Sequence, residues 1–140
     1  MNIIDAARYI IHLSYQNNRS LIPLKLQKVL YFCQGWSFVW DGKQLFPEEF
    51  EVWQYGPVNV IIYELFRKYG KDEIPETEGS ASGINKKEKE TLEAVWNIYS
   101  SWSAAQLVEE TQKHTPCMIS YKNDTIMTNE DIKKFFLAMY

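Results

Sequence analysis

Apolar residues run nearly all round the stretch from Ile3 to Gln16, and Asp5, Arg8, His12 and Gln16 interrupt them at helical spacing as one polar stripe. The pattern predicts a first helix with a single wet edge. Asn17-Asn18-Arg19-Ser20 breaks it, and Pro23 suits the first turn of a second helix from Leu24 to about Trp40, which Asp41-Gly42 ends as a turn. The densest apolar run, Val29 to Trp40, is interrupted by Gln34, Gly35 and Ser37 and falls well short of a membrane span, so it reads as a buried core helix. Gly35 in mid-helix costs about 1 kcal/mol relative to Ala. Close approach of another element is the usual compensation.

Gln44-Leu45-Phe46 and Phe50 to Gln54 are short and aromatic, and the second alternates, which predicts two short strands flanking Pro47. Gly56-Pro57 then opens a third helix in which Val58, Ile61, Ile62, Leu65, Phe66 and Tyr69 keep the 3.6-residue period until Gly70 stops it. Residues from about 71 to 84 are polar, rich in Gly, Ser and Pro and aperiodic, as expected of a flexible surface loop. Asn85-x-x-Glu88 and Ser103-x-x-Gln106 both resemble capping boxes and divide the next stretch into two helices. The first turns Leu92, Val95, Trp96, Tyr99 and Trp102 inward; the second presents Ala104, Leu107, Val108 and Thr111. Thr128 caps a last helix with Ile132, Phe135, Phe136 and Met139 on its buried face. The expected fold class is therefore mostly α (α+β): about six helices in one compact domain over residues 1–140, with a small two-stranded element near residues 44–54.

The chain is 46% hydrophobic and 15% aromatic, enough for one core without a disulfide or metal, and too rich for a disordered chain. Its net charge of −3, with Lys and Arg scattered, lacks the basic footprint of a nucleic-acid binder. Cys33 and Cys117 accompany no apolar leader segment, so a reducing cytoplasm is the expected compartment and no membrane association is foreseen.

No GxSxG, HExxH, phosphate-binding loop, paired CxxC or dinucleotide-binding glycine pattern occurs. Glu109-Glu110 are neighbours on a helix and point in different directions, so a solvated face explains them. His114-x-x-Cys117 with His12 and Cys33 is the one conceivable zinc set, but His12 falls on a polar stripe and Cys33 among core aromatics. No cofactor is expected. The many Trp and Tyr residues lack the basic groove of a single-strand-binding platform and read as core.

The segment Leu21-Ile22-Pro23-Leu24-Lys25-Leu26-Gln27-Lys28-Val29-Leu30-Tyr31-Phe32-Cys33-Gln34-Gly35-Trp36 resembles the signature helix of the Panacea domain, the SocA-like, phage-associated family. Gly42 to Phe46, then Phe50-Glu51-Val52-Trp53-Gln54-Tyr55-Gly56-Pro57-Val58, is similar to that family's strand-turn-helix motif, in the same order. Leu107 to Cys117 and the closing Asp131 to Phe136 extend the likeness over nearly the whole chain. One string departs: the family's Thr-His-x-Glu-x-Pro-Trp stands here as Thr111-Gln112-Lys113-His114-Thr115-Pro116-Cys117. The local residues favour a role for this string in capping and packing a helix end, with Pro116 opening a fresh helix.

The resemblance implies an antitoxin of a bacterial or prophage toxin–antitoxin pair, not an enzyme, that neutralises a cognate toxin by direct contact. It also implies, as a variant, an adaptor that delivers the toxin to an AAA+ protease. The alternatives are a small hydrolase or metal-dependent enzyme and a phage-encoded regulatory protein. Most motif residues belong to the scaffold: Leu26, Val29, Leu30, Cys33 and Trp36 lie at core spacing. Lys25 and Lys28 fall elsewhere on the same helix, where exposure is expected, and Trp53, Gln54 and Tyr55 leave a strand just before a turn. These five are the candidate partner-binding residues, the aromatics first, because aromatic anchors dominate interface energetics.

Overall fold

The computed structural model, which describes residues 1–114 and 126–140, is built around one helix. This helix, α2 (Pro23–Asp41), begins with Pro23 in its first turn and ends at Gly42 in a left-handed conformation, as the sequence predicts. Residues 25–35 are buried without interruption. Around it stand α1 (Ile3–Gln16), α3 (Val60–Phe66), α4 (Lys86–Tyr99), α5 (Ala104–Gln112) and α6 (Asn129–Met139), so the described residues carry six α-helices. A three-stranded antiparallel sheet completes the fold: β1 (Phe50–Trp53) lies between β2 (Gly56–Val58) and β3 (Ile126–Met127). The fold is α+β, and of its three strands periodicity revealed only β1.

The caps read from the sequence are present. Both Asn85/Glu88 and Ser103/Gln106 form reciprocal capping boxes, and the Thr128 hydroxyl accepts from the Asp131 amide. Gly35 is where α6 meets α2: a Cβ built there would lie 2.1 Å from the Phe136 ring. The helical cost of glycine is thus offset by close helix contact. Met139, expected on the buried face of α6, is exposed instead, because Ile132 and Phe136 make the contact with the core and the last turn runs past it.

The segment between α2 and α3 departs from expectation, and the reason lies in the polar side chains of α2. Leu45 and Phe46 form no strand, because the Gln34 side chain takes their backbone groups. Its Oε1 accepts from the Leu45 and Phe46 amides at 2.8 and 3.3 Å, and its Nε2 donates to the Phe46 carbonyl at 2.7 Å. Ser37 Oγ donates to the Lys43 carbonyl at 2.7 Å. A backbone satisfied by side chains needs no neighbouring strand. The partner of β1 is instead β2, whose Trp53↔Gly56 register leaves Gln54 and Tyr55 at the turn. Gly56, at φ +103°, supplies the positive dihedral that closes the hairpin.

The third helix therefore starts at Val60 rather than at Val58. Asn59 caps it, its Oδ1 accepting from the Ile62 amide at 3.1 Å, and the helix tightens to a 3₁₀ turn over Arg67–Tyr69 before Gly70. Gln27 pairs with the Asn59 backbone at both ends: Nε2 donates to the carbonyl at 2.9 Å and Oε1 accepts from the amide at 2.8 Å. The surface segment after Gly70 is tied to α1 as well. Ile74 is fully buried and its carbonyl accepts from the Tyr15 hydroxyl at 2.5 Å, while Arg8 Nη1 donates to Glu78 Oε1 at 3.1 Å.

Replacing Gln34 by Leu leaves two buried amides and a carbonyl without partners, at about 1–3 kcal/mol for each group that finds no water. Urea denaturation of Gln34→Leu should show a loss of about 2–4 kcal/mol with an unchanged m-value. A loss below about 0.5 kcal/mol would mean that another group holds residues 43–46 in place.

Candidate docking groove

Three elements converge beside the hairpin to form an open apolar groove. Pro23 and Leu24 come from the first turn of α2, Trp53, Tyr55 and Val58 from the hairpin, and Ile62, Tyr63, Phe66 and Arg67 from α3 and the turn after it. Its volume is about 270 Å³, below the usual range of pockets for drug-sized ligands and of the order needed for a side chain or two. Trp53 packs edge-on against Tyr63 with ring centroids 4.8 Å apart, and its indole N–H donates to Glu51 at 3.2 Å. Tyr55, at the tip of the turn, is 56% exposed. On α3, Val60, Ile61 and Tyr63 are exposed although Ile62 and Phe66 of the same helix are buried. This helix thus carries apolar residues on its outward side as well as its inward side.

The groove unites two of the five candidate residues, Trp53 and Tyr55; Gln54 is exposed beside them at the turn. The two lysines are elsewhere, and the expectation that they are exposed is wrong. Lys28 is fully buried, and its ammonium donates to the Pro57 carbonyl at 3.0 Å, holding the hairpin against α2. Lys25 lies 6% exposed, donates to the Ser100 carbonyl at 2.6 Å and sits 5.3 Å from the centre of the Trp96 ring. Burial, helped by the Arg19 charge, lowers its pKa. A polar head that finds a carbonyl can be buried along with its stem, which sequence spacing does not foresee. Sequence reasoning also missed Tyr63 and Arg67. Their signal was available in Val60 and Tyr63, which make α3 apolar outside the stripe assigned to the core, and Ile61, assigned to that stripe, is exposed.

The residues weighed for chemistry are dispersed. Cys33 is a buried free thiol whose pKa burial raises well above its ordinary value, the opposite of an activated nucleophile. His12 stacks on Tyr9, with ring centroids 5.7 Å apart. Among the described residues no group of three His, Cys, Asp or Glu side chains is placed to hold a metal. Cys117, Thr115 and Pro116 lie outside the described residues. Gln112 is exposed, whereas His114 is fully buried in an aromatic box beside Tyr31, Phe32, Phe135 and Phe136. His114 Nδ1 shares a hydrogen bond of 2.8 Å with the Tyr31 hydroxyl, and burial lowers its pKa to about 4. Packing at the helix end is what this position does in the fold.

A second aromatic surface occupies the far end of α2. Trp36 stacks on Trp40 at 4.9 Å and lies 4.7 Å from Tyr140, and Trp40 and Tyr140 are each more than 40% exposed. The rise of an α-helix puts about 25 Å between Pro23 and Trp40, so this surface and the groove are separate faces.

The fold and these surfaces define a small α+β domain with an open apolar groove. The family described as "Antitoxin SocA-like, Panacea domain" matches residues 26–117, and the chain belongs to it. A stretch of 47 residues is 43% identical to the "Antitoxin SocA" of Caulobacter vibrioides (strain NA1000 / CB15N). That match takes in 34% of this chain and 25% of the relative, so the chain spans about a quarter of that protein's length. None of the solved structures matches the chain. No helix among the described residues is long and apolar enough to cross a membrane.

The burial of His114 has a pH signature. Above about pH 6.5 the imidazole is neutral both folded and unfolded; between 6.5 and about 4 the unfolded chain takes up a proton that the folded one resists. Stability therefore falls as pH drops through that window. His114→Gln keeps a polar partner for Tyr31 but does not titrate, so melting in a pH series should show a flatter profile over this window than the parent protein. Parallel profiles would mean that the folded imidazole titrates at its ordinary value.

Proposed function

We propose that this protein is an antitoxin that neutralises a cognate toxin by direct protein contact, through the groove and the outward side of α3. Membership of the SocA-like family supports the class of function. The observation that carries the route is the apolar groove lined by Trp53, Tyr55 and Tyr63, with Val60 and Ile61 also exposed on α3. Exposed aromatic anchors at a concave site are the usual energetic centre of a protein interface. The reaction-free reading agrees with a buried, unactivated Cys33 and a His114 enclosed by rings. The cytoplasm, where a toxin would be met, is the proposed compartment.

The adaptor variant has one observation in its favour. An adaptor must hold its cargo and a protease at once, and the Trp36, Trp40 and Tyr140 surface gives this chain a second exposed aromatic face at the opposite end of α2. An AAA+ protease is the partner proposed for that face.

Expression of this protein should rescue cells from the product of an adjacent gene, and the two should co-purify. Trp53→Ala combined with Tyr55→Ala should weaken the complex about tenfold or more while melting shows a folded protein. Rescue without any detectable complex or toxin degradation would reject direct neutralisation. A folded double variant of full affinity would move the contact away from the groove.

A further inference from the structure

We propose that the groove receives an apolar side chain flanked by a carboxylate, presented by a short segment of the protein partner, with Arg67 engaging the carboxylate. This rests on the reading of the chain as a direct-binding antitoxin. The occupant's chemistry follows from what lines the groove. Pro23, Leu24, Val58, Ile62 and Phe66 offer hydrocarbon, and the lining holds one charged residue, Arg67, and no carboxylate. Two of the groove's polar groups are already committed: both ends of the Gln27 amide bind the Asn59 backbone, and the Trp53 indole N–H donates to Glu51. An apolar occupant displaces water from about 270 Å³ of this mostly hydrocarbon lining.

Arg67 is placed to read an anion at the rim. Its guanidinium lies 5.5 Å from the centre of the Tyr63 ring, which orients it by a cation–π contact. Its carboxylate neighbour, Glu64, stands at 3.5 Å in an exposed pair three residues away on the same helical turn. A pair so long and so wet holds the guanidinium weakly. A carboxylate brought in by a docked segment can make two parallel hydrogen bonds to the planar fork in a less hydrated setting. One cation beside an apolar floor suits a single carboxylate; a nucleic-acid backbone needs a row of cations and would meet a chain of net charge −3.

The test is display selection of random peptides of about twelve residues against the full chain, with Arg67→Glu, Arg67→Lys and Tyr55→Ala as comparison proteins. Enriched peptides should carry an aromatic or branched apolar residue within a few positions of Asp or Glu, and their Asn or Gln versions should bind about tenfold more weakly. Arg67→Glu and Tyr55→Ala should lose the peptides, and Arg67→Lys should keep part of the affinity, with melting unchanged in all three. Selection of basic or wholly apolar peptides, equal binding to Arg67→Glu, no binder sensitive to Tyr55→Ala, or a dimer that closes the groove in sedimentation would each overturn the proposal. The two readings fail separately. Selected peptides of the expected kind with no rescue from an adjacent toxin would sink the antitoxin reading alone. Full rescue by Arg67→Glu, with rescue lost in the Trp53 and Tyr55 double variant, would sink the carboxylate alone.

Discussion

Buried side-chain amides on α2 are the constraint on which the rest of this structure depends. Gln34 satisfies the backbone of Leu45 and Phe46, and Gln27 satisfies both backbone groups of Asn59. Lys28 adds a buried ammonium to the Pro57 carbonyl. A short irregular segment in a core carries amides and carbonyls that would each cost free energy if left unpaired. Here the central helix supplies the missing partners. The segment from Lys43 to Asn59 is thereby fixed against α2, and the hairpin and α3 that frame the groove are fixed with it. The polar residues of the signature helix serve the interior, while the groove is framed by the elements they hold.

That division explains which features were legible from residues alone. Helices with long periodic stripes and capping residues stand where periodicity puts them, and Gly35 meets Phe136 as a mid-helix glycine should. The aromatic residues around the hairpin turn were legible too, because Trp53 and Tyr55 follow an alternating strand and precede Gly56. Hidden from the sequence were long-range pairings. A triplet such as Gln44-Leu45-Phe46 looks like a strand until a glutamine ten or so residues earlier takes its backbone. Lys25 and Lys28 look like surface residues until Ser100 and Pro57 accept from them. The strand β3 is two residues long and lies beyond any periodicity argument. Local chemistry shows which groups need partners, and only the tertiary fold shows where those partners are.

The string in which this chain departs from its family fits the same account. His114 is enclosed by aromatic rings and bonded to Tyr31, while Gln112 faces solvent. A position whose side chain fills an interior box needs only to suit its neighbours, so its identity can change without touching the groove at the hairpin.

The central claim is that the partner's contact lies on the face that α2 holds in place. Hydrogen exchange of this protein, alone and in complex with the product of an adjacent gene, tests it most directly. The account predicts new protection confined to the backbone amides of residues 53–67, with the Trp40 and Tyr140 face unchanged. Protection on that far face, with residues 53–67 exchanging as in the free protein, would contradict it.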